Sequence, residues 1–340
     1  MFDILDSVEN WLSDKRSIAL ATVTKTWGSA PRREGSKMAV TDDLAMIGSV
    51  SGGCVEGAVV EEAQAAMKDG KPRLLKFGVA DDTAWEVGLT CGGRIHVYVE
   101  PLDKMWWETV AKAAKSDSLL TTITILEGDS AGEKVLFNSH NEAIYKTNGL
   151  GDSQVNEFQV IAQNTLKSGQ MTVNDSEIMV DVIAPRPHLI IIGGVHVAIP
   201  LTNIAQEMGF RVSLIDPRRA FATEERFPDA NAILHTYPDK ALPELGLDKN
   251  TFLAVLTHDP KIDDKALITA LPSDVPYIGV LSSSRTHEKR SKRLLEAGIS
   301  QELIDRLHTP IGIDLGSRTP EEIALGIMAQ IVAVRNGVKR

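Results

Sequence analysis

Cys54 and Cys91, the only cysteines in the chain, each sit in a glycine-flanked stretch: Ser51-Gly52-Gly53-Cys54-Val55-Glu56-Gly57 and Gly88-Leu89-Thr90-Cys91-Gly92-Gly93. Glycine carries no Cβ, so such a stretch can turn several backbone amides toward one ligand. Converging amides form an anion-binding concavity, and a thiol in that field gains thiolate character and becomes a soft metal ligand or a nucleophile. The same residues also read as core filler, because cysteine is among the most often buried side chains. A third reading is a redox or sulfur carrier using a Cys54–Cys91 disulfide, which requires the two Cα atoms to lie within about 7 Å.

A second constellation lies in the C-terminal half. Gly193-Gly194-Val195-His196-Val197-Ala198 follows an apolar β-run, and Asp216 ends the next one, which are the positions of a dinucleotide fingerprint and its ribose-binding acid. Val195 stands where the fingerprint needs its middle glycine, and its branched Cβ should obstruct a pyrophosphate. NAD(P) is therefore a doubtful ligand, and an NAD(P)-linked oxidoreductase is the alternative reading of function. Thr257-His258-Asp259-Pro260 ends a later strand, where His258 and Asp259 are expected to face the Gly193 turn across the crevice and orient a ligand or move a proton. Asp-Pro is equally ordinary turn chemistry. Ser282-Ser283-Ser284-Arg285 opens a helix, and its capped start with Arg285 suits a phosphate.

The elements that must hold these residues follow from periodicity. Asp3 to Lys15 has helical spacing, Ile18 to Val23 is β-rich, Lys37 to Val40 pairs with Ala45 to Val50, and Glu56 to Lys68 is a helix stopped by Gly70. Cys54 thus precedes a helix N-terminus, whereas Cys91 leads into the alternating strand Ile95 to Val99. From Asp103 to Val182 the pattern is mixed, and no internal repeat is evident. Ala184-Pro185-Arg186-Pro187 breaks the chain. The expected domains are 1–184, mixed α+β with β-hairpins, and 188–340, where alternating strands and helices indicate an α/β Rossmann-like doubly wound parallel sheet.

Composition narrows the partners. The length fits two domains, and 43% hydrophobic residues suffice for two cores. A net charge of -10 argues against nucleic acid and anionic membranes. The acidic start lacks the features of a signal peptide, and with two cysteines the expected setting is the reducing cytoplasm.

These motifs, with Gly28-Ser29-Ala30-Pro31-Arg32, Tyr277-Ile278-Gly279-Val280-Leu281 and Pro310-Ile311-Gly312-Ile313-Asp314-Leu315-Gly316, make the chain similar to the xanthine dehydrogenase accessory factor family (XdhC/CoxI) over nearly its whole length. The resemblance implies a cytoplasmic chaperone, more a carrier than an enzyme, that binds molybdenum cofactor and delivers it to a molybdenum hydroxylase such as xanthine dehydrogenase. It also implies a cysteine desulfurase as co-worker and a homo-oligomeric chain. Molybdopterin is a phosphorylated dithiolene pterin, so its host needs anion sites and soft sulfur. That need points to Gly52, Gly53, Cys54, Cys91, Gly92 and Gly93, with Cys54 and Cys91 as candidate molybdenum ligands. The family usually has glycine at Val195 and Gly-Ser-Arg-Arg at Ser282-Ser283-Ser284-Arg285, so both departures fall in the expected phosphate crevice.

Overall fold

The computed structural model describes residues 1–28, 32–78 and 93–338. The chain divides into two compact units, Met1–Pro185 and Arg186–Arg340.

The first unit uses one motif twice. Helix α1 (Leu5–Ser13), strands β1 (Ile18–Trp27), β2 (Lys37–Thr41) and β3 (Met46–Gly48), helix α2 (Glu56–Asp69), and strands β4 (Arg73–Phe77) and β5 (Arg94–Pro101) form the first copy. The second copy is α3 (Lys104–Lys115), β6 (Leu120–Ile125), β7 (Lys134–Phe137), β8 (Ala143–Lys146), α4 (Asp152–Asn164), β9 (Gly169–Val173) and β10 (Ser176–Ile183). Each copy makes a five-stranded antiparallel sheet, in the orders β3-β2-β1-β5-β4 and β8-β7-β6-β10-β9.

The equivalence extends to register. Lys37 faces Thr22 and Glu100 faces Leu20 in one sheet; Lys134 faces Thr124 and Asp181 faces Thr122 in the other. Both first hairpins also close the same way. Val23 donates to the Ser36 carbonyl and accepts from the Gly35 N–H, as Ile125 does with Glu133 and Gly132. Gly35 and Gly132 are both left-handed, at φ +84° and +95°.

This duplication corrects the expectation of no repeat. The copies share burial pattern and turn geometry rather than residue identity, as the pairs Leu20/Thr122 and Ile47/Tyr145 show. Helix α4 escaped notice because it buries only Phe158 and Ala162. Strands β4, β8 and β9 were likewise not anticipated.

Packing follows the two-fold plan. Helices α1 and α3 share one core with Leu20 and Ala39 of the first sheet and Leu120 and Leu136 of the second. The other face of the first sheet takes α2, through Val59, Ala63 and Ala66 against Val23, Val40 and Val97. The other face of the second takes α4, through Phe158 and Ala162 against Ile123, Val135 and Val180. Gly70 ends α2 in the left-handed conformation, and Asp103 caps α3 by accepting the Trp106 N–H.

The second unit is a six-stranded sheet in the order β13-β12-β11-β14-β15-β16, parallel throughout. Its strands are β11 (His188–Ile192), β12 (Arg211–Ile215), β13 (Ala232–Leu234), β14 (Thr251–Val255), β15 (Tyr277–Val280) and β16 (Leu307–His308). Helices α5 (Ala198–Glu207) and α10 (Pro320–Arg335) cover one face; α6 (Pro238–Leu245), α7 (Pro260–Ala270), α8 (Ser284–Glu296) and the short α9 (Gln301–Ile304) cover the other. The doubly wound fold expected from the sequence is present, with the order reversing between β11 and β14. Only β16 and α9 add to that expectation.

Candidate functional site

The Cys54 loop is an amide nest, and the anion it holds is internal. Glu56, the first residue of α2, folds its carboxylate back under the loop. Its Oε1 accepts from the amides of Ser51 at 2.8 Å, Gly52 at 2.9 Å and Val50 at 3.3 Å, and from the Ser49 hydroxyl at 2.8 Å. Its Oε2 accepts from the amides of Gly53 at 2.8 Å and Val55 at 3.3 Å, and from the Ser51 hydroxyl at 2.5 Å. Burial opposes ionisation, but the hydroxyls of Ser51 and Ser49 and the amides of Ser51 and Gly53 overcome it and hold the carboxyl at about 2.

The expected concavity therefore exists, but its donors are committed. Gly52 and Gly53 do not offer a vacant phosphate cradle; they lock the loop on Glu56, with φ values of +86° and +123° that favour glycine. What the loop presents is Cys54, half-buried and packed against the core cluster that includes Val55 and Val59. An acid in the first turn of a helix, just after a Ser-Gly-Gly stretch, is the sequence signal that identifies Glu56.

Arg32 ties a second motif to this loop. Its Nε donates to the Ser49 carbonyl at 3.1 Å and its Nη2 to Asp3 at 3.3 Å. Cys91 and Gly92 lie outside the described residues, while Gly93 is buried just before β5. Among the described residues no group of three or more His, Cys, Asp or Glu side chains could hold a metal ion.

In the second unit the crevice at the order reversal is filled by the chain itself. Asp216 is fully buried and accepts from the Gly194 amide at 2.9 Å, from Arg218 Nη2 at 2.7 Å, and from Arg218 Nε and its amide at 2.9 Å. Burial raises the Asp216 carboxyl, and the Arg218 contacts more than offset it, so it stays below the usual range. Arg226 bridges the carbonyls of Gly194 and Phe221, and a Cβ on Gly194 would strike the Phe221 carbonyl. On the other side a Cβ on Gly193 would strike the Thr257 methyl. The glycines thus serve close chain packing.

A dinucleotide in the fingerprint pose does not fit these residues. Both Asp216 oxygens are engaged, the Phe221 carbonyl lies on the turn, and Val195 lacks the required bare backbone. Of the other candidates, Asp259 caps α7 by accepting the Lys261 amide at 2.9 Å, while His196, His258 and Arg285 are exposed. Thr257, rather than His258, meets Gly193. Its hydroxyl donates to Asp263, which also pairs with buried Arg290.

A cavity of about 720 Å³ lies beyond the carboxyl ends of β15 and β16, lined by Leu281, His308, Thr309, Pro310, Ile313 and Leu315. Sequence reasoning did not anticipate it, although ligands favour this end of a parallel sheet.

Comparison with known proteins is decisive on kinship. A family model described as the XdhC Rossmann domain matches residues 189–331, and one described as the XdhC and CoxI family matches residues 11–78. The chain belongs to the XdhC and CoxI family. Its relatives include a Bacillus subtilis (strain 168) protein named as a probable xanthine dehydrogenase subunit, 28% identical over 96% of each chain. The Escherichia coli (strain K12) "Molybdenum cofactor insertion chaperone PaoD" is 26% identical over 97% of this chain and 86% of its own. A crystal structure from Bacillus halodurans, titled a xanthine dehydrogenase, has the same fold, with a TM-score of 0.81 and 24% identity over 99% of this chain and 96% of that one. Among the described residues of this XdhC/CoxI chain, no helix is long and apolar enough to cross a membrane.

Proposed function

We propose that this member of the XdhC and CoxI family is an accessory protein that binds molybdenum cofactor and assists its sulfuration and insertion into a molybdenum hydroxylase of the xanthine dehydrogenase type. The kinship with a named molybdenum cofactor insertion chaperone supports this reading. The observation that carries it in the molecule is Cys54, a half-buried thiol on a loop whose backbone Glu56 holds with amide and hydroxyl bonds.

A carrier must hold its cargo and release it, and a soft sulfur donor on a preformed loop suits a molybdenum centre. When bound, the cofactor would bring the redox-active molybdenum and its dithiolene; the chain supplies a ligand, an orientation and shelter. Cys54 and Cys91 are the proposed donors. A cysteine desulfurase is the proposed source of the terminal sulfur, and the cytoplasm is the proposed setting.

The test is transfer. The chain, loaded anaerobically with molybdenum cofactor, is mixed with a molybdenum hydroxylase purified without cofactor, and recovered activity is compared with that from an equal amount of unbound cofactor. Faster or fuller recovery is expected from the loaded chain, with a further gain when a cysteine desulfurase and cysteine are added. Recovery no better than with unbound cofactor would contradict the proposal.

A further inference from the structure

Superposing the two copies of the first-unit motif by register reveals where they differ. The stretch between the first two strands, 24–34, is five residues longer than its counterpart, 126–131. The stretch between the third strand and its helix, 49–55, is two residues longer than 147–151. Between the last two strands the first copy has 78–93, where the second has only Asn174 and Asp175. Elsewhere the two sheets share their register, apart from a bulge after Leu136 in the β7–β8 ladder that the β2–β3 ladder lacks.

These three insertions contain Gly28-Ser29-Ala30-Pro31-Arg32, Gly52-Gly53-Cys54 and Leu89-Thr90-Cys91-Gly92-Gly93. They also spring from one end of one sheet. Trp27 faces Arg94, Phe77 faces Ile95, Met38 faces Gly48 and Lys37 faces Thr22, so β1, β3 and β4 end, and β2 and β5 begin, along the same edge. Arg32 joins the first insertion to the second through the Ser49 carbonyl.

The first insertion also lengthens the sheet. In the second copy the β6–β10 ladder stops at Ile125 opposite Ile178. In the first, past the equivalent pair Val23 and Val97, a bulge at Thr24 is followed by three more pairs, Lys25 with His96, Thr26 with Ile95, and Trp27 with Arg94. The extension meets the second sheet through Thr24 and His96, which both hydrogen-bond Gln170 of β9, and at its far end it holds an indole at the rim. Trp27 is 38% exposed, its ring meets the His96 ring edge-on at 4.8 Å, and the Lys25 ammonium lies 5.0 Å from its centre. A large aromatic costs free energy to expose and little entropy to hold still, so an anchored, half-exposed indole is a stacking platform.

We propose that the ligand of the first unit binds at the rim where Trp27, Lys25, Arg32 and the Cys54 loop lie, that Trp27 stacks against the conjugated ring of the ligand, and that Arg32 is a positioning residue that holds the Cys54 loop. The ligand class is a fused heteroaromatic ring bearing an anionic group, for which Lys25 supplies a neighbouring cation; with the cargo proposed above, that ring is the pterin. The inference rests on the cofactor-carrier reading, which it makes specific. The second copy is scaffold, lacking every one of the three insertions.

The test uses the full chain titrated anaerobically with molybdenum cofactor released from a molybdenum hydroxylase, followed by quenching of tryptophan emission and by equilibrium dialysis of molybdenum. Trp27→Ala should weaken binding roughly tenfold, the value of one aromatic stack, while Trp27→Phe stays within about threefold. Asp129→Ala, on the matching turn of the second copy, should leave affinity unchanged. Arg32→Ala should weaken dialysis-measured binding and leave the quenching at saturation intact. If Trp27→Ala binds like the parent, or Trp27→Phe loses as much as Trp27→Ala, the stacking assignment is overturned while the carrier reading stands. Absence of binding by the parent chain overturns the carrier reading itself, and the assignment with it.

Discussion

The Lys37 ammonium lies 2.7 Å from the Asp181 carboxylate, an ion pair that joins the two copies of the first-unit motif, with the two side chains 2% and 8% exposed. The contact recurs in reverse, because Lys134, the register equivalent of Lys37, meets Glu100, the equivalent of Asp181, at 2.6 Å. This exchange of partners is the signature of an isologous interface, here closed within one chain. The buried pairs fix how the two sheets of the first unit meet.

Removing one partner of such a pair strands a buried charge. Lys37→Met should destabilise the first unit by about 3 to 5 kcal/mol, whereas Lys37→Met with Asp181→Leu should fall within about 1 kcal/mol of the parent. Urea unfolding of the full chain checks this, read through the tryptophans, all of which lie in the first unit. A single variant as stable as the double would show that the pair is not desolvated.

Glu56 gives the loop a pH dependence with a defined sign. Its carboxyl is held at about 2, below an ordinary value of 4.5, so its stabilisation is complete above about pH 4.5 and declines as pH falls toward 2. The stability gap between the parent chain and Glu56→Gln should be constant from pH 7 to 5 and narrow between pH 4.5 and 3. A gap independent of pH would mean that the carboxylate is not the anion in the nest.

The Rossmann-like unit should remain closed to dinucleotides even when its missing glycine is restored. Val195→Gly leaves Asp216 engaged by Arg218 and the Phe221 carbonyl on the turn, so calorimetry should detect no NAD(H) or NADP(H) binding. Gly194→Ala, which drives a methyl into that carbonyl, should cost about 1 to 3 kcal/mol. Micromolar NAD(H) binding by Val195→Gly would show that the loop yields readily.

Much of the fold was legible because it is written in local pattern. β-rich composition marked β1, hairpin pairing marked β2, alternation marked β5, Gly70 marked the end of α2, and strands alternating with helices from Leu189 onward announced a doubly wound parallel sheet. The duplication was hidden because it survives in register and turn geometry while the residues diverged. At the site, the glycines correctly signalled an amide nest, but spacing does not say which anion fills it, and Glu56 was two residues from the cysteine that drew notice. Asp216 stood where a ribose partner belongs, yet Arg218, two residues on, neutralises it.

The central claim, that Cys54 on the Glu56-locked loop helps hold a molybdenum cofactor, is tested most directly by equilibrium dialysis of molybdenum against the parent chain and Cys54→Ser. The account predicts saturable binding of the cofactor by the parent and at least a tenfold weaker affinity for Cys54→Ser, with unchanged urea unfolding. Equal affinity of the two chains would contradict it.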